Sequence, residues 1–160
     1  MSAIIHFDAE MLTWLEHRAA ADVTAYKLAQ MPHSFHTPRT HLEYDNQLTG
    51  LSGETALKIF LGLDWRTHSE YGFGYDVHGF YEVRSTKRAD GNLITHEHDR
   101  QAIFVLARII DAKHVKLVGW IDLRDANTPD NWADWLPHPA FLTRANQLHS
   151  MDSLPRKVAA

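Results

Sequence analysis

Asp76, Glu82 and Arg84 carry the spacing in this sequence best suited to chemistry: two carboxylates six residues apart across Gly79, and a guanidinium two residues beyond the second. In an extended strand that step of two places Glu82, Arg84 and Thr86 on one face. If Tyr75–His78 and Phe80–Thr86 pair as antiparallel neighbours turning near Gly79, Asp76 comes alongside Glu82. Adjacent carboxylates repel, and each has a raised pKa unless a cation sits between them. Hard divalent ions such as Mg²⁺ are held in this way, by one or two carboxylates, retained waters and substrate phosphate oxygens. Arg84 then faces the same phosphate. The plainer alternative is strand surface decoration, with Asp76 in a turn and Glu82 paired along the strand to Arg84.

Glu54 is the next anomaly. It precedes Leu57 and Leu61 by three and seven residues, so on a helix it shares their buried face rather than the solvated one. A carboxylate there needs a partner, a proton or a metal. Taken alone, the simpler account is an ion pair with Lys58, four residues on in the favourable order.

Histidines offer a competing centre. His96-Glu97-His98-Asp99 contains an H-x-H pair whose imidazoles share a face if the stretch is extended, and His78 lies close to Asp76 in sequence. Two imidazoles and a carboxylate suit Zn²⁺ or Fe²⁺. No further ligand stands at a characteristic spacing, and histidines scattered in polar loops are mostly solvated. Gly72-Phe73-Gly74 lacks the third glycine of a dinucleotide fingerprint, and there is no P-loop, G-x-S-x-G or H-E-x-x-H.

The elements that must position these groups are legible in outline. Met11, Leu12, Leu15, Ala19, Val23 and Tyr26 recur at helical spacing and predict a helix over residues 8–30, capped by Asp8 and closed by Pro32. Residues 31–50, with Pro32, Pro38 and Gly50, read as a loop. A second helix is expected from Ser52 to Leu63, with Ser52 as its cap and Gly62 near its end. Strands are expected around Gly79, at Leu93–His96, at Ala102–Ile110 and at Val115–Leu123. Residues 125–139 are broken by Pro129, Pro137 and Pro139, with Trp132 and Trp135 expected to fold back on the core; Phe141–Leu154 ends as a short strand or helix.

Composition bounds the function classes. With 160 residues, 44% apolar and 22% charged, the chain fits a single domain, 1–160. The absence of cysteine excludes a disulfide scaffold, thiolate metal sites and a cysteine nucleophile. A net charge of -4 with no basic run means that any contact with nucleic acid must be local. No apolar stretch approaches the length of a membrane span, and Met1-Ser2-Ala3-Ile4-Ile5-His6 is no signal start. A cytoplasmic protein with no membrane partner is the expectation.

Glu54 on a helix, Asp76 at a strand and Glu82-Val83-Arg84 on the next strand form an ordered set that resembles the PD-(D/E)xK nuclease superfamily. More narrowly, Gly53-Glu54 … Asp76 … Glu82-Val83-Arg84-Ser85-Thr86 … Leu93 … Asp99 … Val118-Gly119-Trp120-Ile121 looks like short bacteriophage-encoded members. The likeness spans residues 50–124, leaving the 8–30 helix and a 125–160 extension outside it. It implies an α/β fold of restriction-endonuclease-like type, a mixed β-sheet flanked by helices with an added N-terminal helix. It also implies a metal-dependent endonuclease or exonuclease hydrolysing DNA phosphodiester bonds. Asp76 and Glu82 would ligand Mg²⁺ (or Mn²⁺), Glu54 would support them, and Arg84 would stabilise developing charge. Family members usually carry lysine where this chain has Arg84. Arginine cannot serve as a general base but can grip a phosphate oxygen with two donors. The alternative is a non-catalytic nucleic-acid-binding or assembly protein that keeps the fold. In either case the 8–30 helix is the candidate homodimer surface, and a phage-encoded copy would work in the host cytoplasm.

Overall fold

The computed structural model describes residues 2–30, 40–67 and 76–156. Its centre is the antiparallel pair β4 (Ile103–Asp111) and β5 (His114–Asp122), where β-branched and apolar residues run almost without interruption. β1 (Ala3–His6) adds antiparallel to β5, and β2 (Tyr81–Thr86) adds parallel to β4, giving the mixed order β1-β5-β4-β2. A parallel neighbour needs a crossover. Here the crossover carries β3 (Leu93–Thr95) into a smaller antiparallel sheet with β7 (Ala140–Thr143) and β6 (Trp132–Ala133), in the order β3-β7-β6.

One face of the main sheet is covered by α2 (Thr40–Leu61), and α1 (Ala9–Gln30) packs against α2. Leu15 and Ala19 of α1, Leu51, Ala56 and Leu57 of α2, and Val83, Val105 and Leu117 of the sheet are buried in one core. The opposite face buries Leu93, Phe104, Leu106, Ile121, Leu123 and Ala126, the last two from the short α3 (Leu123–Ala126). The chain is thus mixed α/β, a mixed sheet flanked by helices. Among the described residues, no helix is long and apolar enough to cross a membrane.

Asp8 caps α1 as expected, its carboxylate accepting from the Met11 amide at 2.9 Å. Four expectations need correction. The second helix starts at Thr40, not Ser52, so residues 40–50 are helical while 31–39 lie outside the described residues. Ser52 is not a cap: its hydroxyl donates to the Leu48 carbonyl at 2.7 Å inside the helix. Gly53 is tolerated mid-helix for a packing reason. A Cβ there would stand 2.0 Å from Ser85 Oγ and 3.1 Å from both Val83 Cγ1 and Ala107 Cβ, so its absence lets α2 lie close on β2 and β4. Leu61 ends the helix, and Gly62 follows at φ +73, a left-handed conformation suited to glycine.

The expected strand pair around Gly79 contracts to one antiparallel bridge, Val77 to Tyr81, closed by His78 (φ 53) and Gly79 (φ 61). Tyr75 and the residues before it lie outside the described residues, so the bridge is the part of the expected pair that is described. Trp132 and Trp135 do not fold back on the core but are 42% and 72% exposed, because the space on that face is filled by Leu93, Phe104 and Leu106. Finally, β1 was not expected, being too short to show a periodicity. Beyond β7 the chain returns to the main sheet: His149 exchanges backbone hydrogen bonds with Trp120, and Met151 and Leu154 complete the helix-side core.

Candidate functional site

β2 is the edge strand of the main sheet, so its outward backbone groups have no strand to pair with. Asp76 supplies a partner. Its Oδ2 accepts the Val83 amide at 2.8 Å, which pins the carboxylate against the edge. Glu82, one residue earlier on the strand, feels the charge of Asp76 and is 12% exposed. Asp76 therefore stands beside Glu82 as expected from the spacing, although the tight turn, and not a strand pair, brings it there.

Burial pushes the Glu82 carboxyl up to about 7, and the charge of Asp76 adds to this against the opposing pull of Arg84 and Arg100. Glu54 reaches the same neighbourhood from α2. Burial pushes it up to about 8, with Asp76, Asp22 and Glu82 adding to the effect and Lys58 opposing it. Three acids from a helix, a turn and an edge strand thus feel one another's charge. They do not close into a ligand set: among the described residues, the group whose ligand atoms all lie within 4.8 Å of one another is His96, His98 and Asp99. Glu54 stands behind the Asp76–Glu82 pair.

Lys58 is buried, yet among the described residues no ion pair joins it to Glu54; its ammonium donates to the Thr67 carbonyl. Its charge still acts on Glu54 and Asp76, while burial lowers its own pKa. The expected Glu54–Lys58 pair is replaced by a lysine that ties the chain beyond α2 to the helix. Arg100 approaches Glu82, Nη2 to Oε1 at 3.7 Å with its own side chain 55% exposed, and its charge opposes the rise in the Glu82 pKa.

Arg84 shares the face of Glu82 but does not pair with it. Nη2 meets Asp99 Oδ1 at 3.1 Å, Nε donates to the Ile94 carbonyl at 3.3 Å, and the guanidinium lies 5.0 Å from the centre of the Phe104 ring. Asp99 is the residue that spacing alone does not reveal, since it lies 15 residues away and arrives through the crossover. Its signals in the sequence were the H-E-H-D run and its place in the set of residues that carries the family resemblance. Arg84 also opens onto a cleft of about 470 Å³ shared with Thr86, Arg88, Ile94 and the exposed Trp135. This cleft combines two cations with an aromatic face, the pairing that grips phosphates and stacks bases.

His78 occupies the turn beside Asp76 and joins no metal-binding group among the described residues. His96 and His98 stack, ring centres 5.3 Å apart and planes inclined by 23°. The chain matches no family model, no curated protein and no solved structure.

Proposed function

We propose that the chain is a metal-dependent nuclease acting on DNA phosphodiester bonds, with a restriction-endonuclease-like core of the PD-(D/E)xK kind. The observation that carries the reading is the Asp76–Glu82 pair: two carboxyl groups brought together at an open sheet edge, with a third, partly buried acid on α2 feeling the charge of both. The donor set fits a hard divalent cation. It is all oxygen, and both glutamates are pushed toward neutrality first by burial and then by neighbouring carboxylates, against the opposing pull of Lys58, Arg84 and Arg100. Asp76 and Glu82 would hold Mg²⁺ or Mn²⁺, with Glu54 in support. An ion of this kind supplies Lewis-acid stabilisation of charge on a phosphoryl oxygen.

This chain's own residues then have distinct tasks. Asp76 fixes the pair by its bond to the edge amide of Val83. Arg84, anchored by Asp99 and the Ile94 carbonyl, keeps further guanidinium donors for a phosphate oxygen. It cannot take a proton, so any general-base role falls to a group other than Arg84. Arg88 and Trp135 extend the surface along the cleft, which provides the local cationic patch that a chain of net charge -4 needs to approach DNA.

Labelled single- and double-stranded oligonucleotides incubated with Mg²⁺ or Mn²⁺ test the reading. Cleavage is expected, and Asp76→Ala and Glu82→Gln should each lower it by at least about a hundredfold. Cleavage unchanged in both variants overturns the assignment. One observation favours a second reading: Arg84 is committed to Asp99 and not to the acids. If wild-type protein binds DNA but cuts none with either ion, the non-catalytic binding or assembly protein is the better description.

A further inference from the structure

We propose that His96, His98 and Asp99 form a separate site for a borderline divalent metal, Zn²⁺ by the chemistry of its donors. The proposal does not rest on the nuclease reading and concerns a different donor set. Ligand atoms of the three residues lie within 4.8 Å of one another. Imidazole nitrogens suit zinc and bind Mg²⁺ poorly, so the two centres sort by hardness: oxygen donors at the sheet edge, nitrogen and oxygen here.

The turn that carries the three ligands is pinned from both sides. Its first carbonyl, on His96, accepts from Asn127 Nδ2 at 3.0 Å, and the Asn127 side chain is itself fixed by the Thr95 hydroxyl, which donates to Oδ1 at 2.5 Å. Asp99 Oδ2 accepts the His96 amide at 2.7 Å, and its Oδ1 meets Arg84 at 3.1 Å. A carboxylate held by such outer partners is already oriented, as metal-ligating carboxylates usually are. At 12% side-chain exposure it is also largely withdrawn from water. His96 is half-buried and His98 exposed, so His98 is the ligand free to swing. Zinc bonds of about 2.0–2.2 Å place tetrahedral ligand atoms roughly 3.4 Å apart, and His98, the exposed ligand, is the one able to adjust toward the other two. Three protein ligands would leave one position of a tetrahedral zinc open, the arrangement of sites that bind a further ligand rather than of closed structural ones. Because Asp99 bridges to Arg84, occupancy of this site bears on the side chain at the head of the cleft.

Calorimetric titration of the untagged, metal-free full chain with Zn²⁺, in excess Mg²⁺ to occupy hard sites, tests the proposal. One Zn²⁺ per chain is expected. His98→Ala, at an exposed position that leaves the fold intact, and Asp99→Asn should each weaken binding by at least about tenfold. Asp76→Asn should leave it unchanged, which separates this site from the acidic pair. His114→Ala controls for the other surface histidine cluster, where His114 Nδ1 lies 2.8 Å from Asp111 Oδ1 and Nε2 lies 3.1 Å from His6 Nδ1. The proposal is overturned if the wild type takes up no Zn²⁺. It is equally overturned if uptake survives His98→Ala undiminished, or is lost with His114→Ala instead.

Discussion

Asp76 accepts the outward amide of Val83 at 2.8 Å while its charge bears on Glu82 one residue earlier, so one carboxylate serves both the strand edge and its acidic neighbour. The pair is held by backbone, and the charge it concentrates is a consequence of that placement.

Neutralising either member should therefore stabilise the free protein and remove its response to metal. Wild type in Mn²⁺ at about a hundred times the dissociation constant gains roughly 2.7 kcal/mol, by mass action on the folded state. Asp76→Asn and Glu82→Gln should melt higher than wild type without metal and show no Mn²⁺-dependent rise. Thermal melts with and without the ion read both effects, and a full metal response in Glu82→Gln would remove Glu82 from the ligand set.

The pH dependence follows from the two glutamates. Both have folded pKa values raised, to about 8 for Glu54 and about 7 for Glu82, above an unfolded value of 4.5. The folded state then binds more protons than the unfolded chain between these limits, and stability must fall as pH rises. Denaturant midpoints should decline from pH 5 to about 8, and Glu54→Gln should flatten the upper part of that decline. A Glu54→Gln profile parallel to wild type would mean that Glu54 does not carry the proton.

Gly53→Ala should destabilise the fold by about 1–3 kcal/mol through overpacking. The added methyl meets Ser85 Oγ at 2.0 Å, with Val83 and Ala107 close behind. Ser85→Ala should recover part of the loss in the double variant. Urea unfolding of the four proteins measures the coupling, and strict additivity would mean that α2 does not rest on β2 as described.

Along the cleft, cation and aromatic contributions should separate. Trp135→Ala should weaken single-stranded DNA binding by about 1–3 kcal/mol with little change in salt dependence. Arg88→Ala should instead reduce the slope of log K against log salt by about 1. Fluorescence anisotropy across a salt series distinguishes them, and neither effect is expected if DNA engages another surface.

The strands and helices were legible where local pattern and packing agree. β4 and β5 announce themselves through Ile103, Val105 and Val115, and α1 through Leu15 and Ala19, because these residues are buried where local pattern marks them. The first half of α2 was not legible, since Pro32, Pro38 and Gly50 read as loop signals, whereas Gly50 sits in the helix with nothing within 4 Å of an added Cβ. Trp135 misled in the opposite direction: its apolar ring suggests burial, yet the core face is already occupied. At the site, Asp76 and Glu82 are close because they are near in sequence, and spacing was enough to bring them together. Glu54 carried its own signal as an acid on an apolar helix face. The Arg84–Asp99 bond depends on the course of the crossover, which leaves no local trace.

An edge strand is an invitation to another polypeptide, and most proteins guard theirs with a charge or a bulge. Here the guard at Val83 is Asp76, bonded to the amide itself. Any demand on that carboxylate from a ligand is then also a demand on the barrier against self-association, so loss of Asp76 would leave a chain prone to add its own copies strand upon strand.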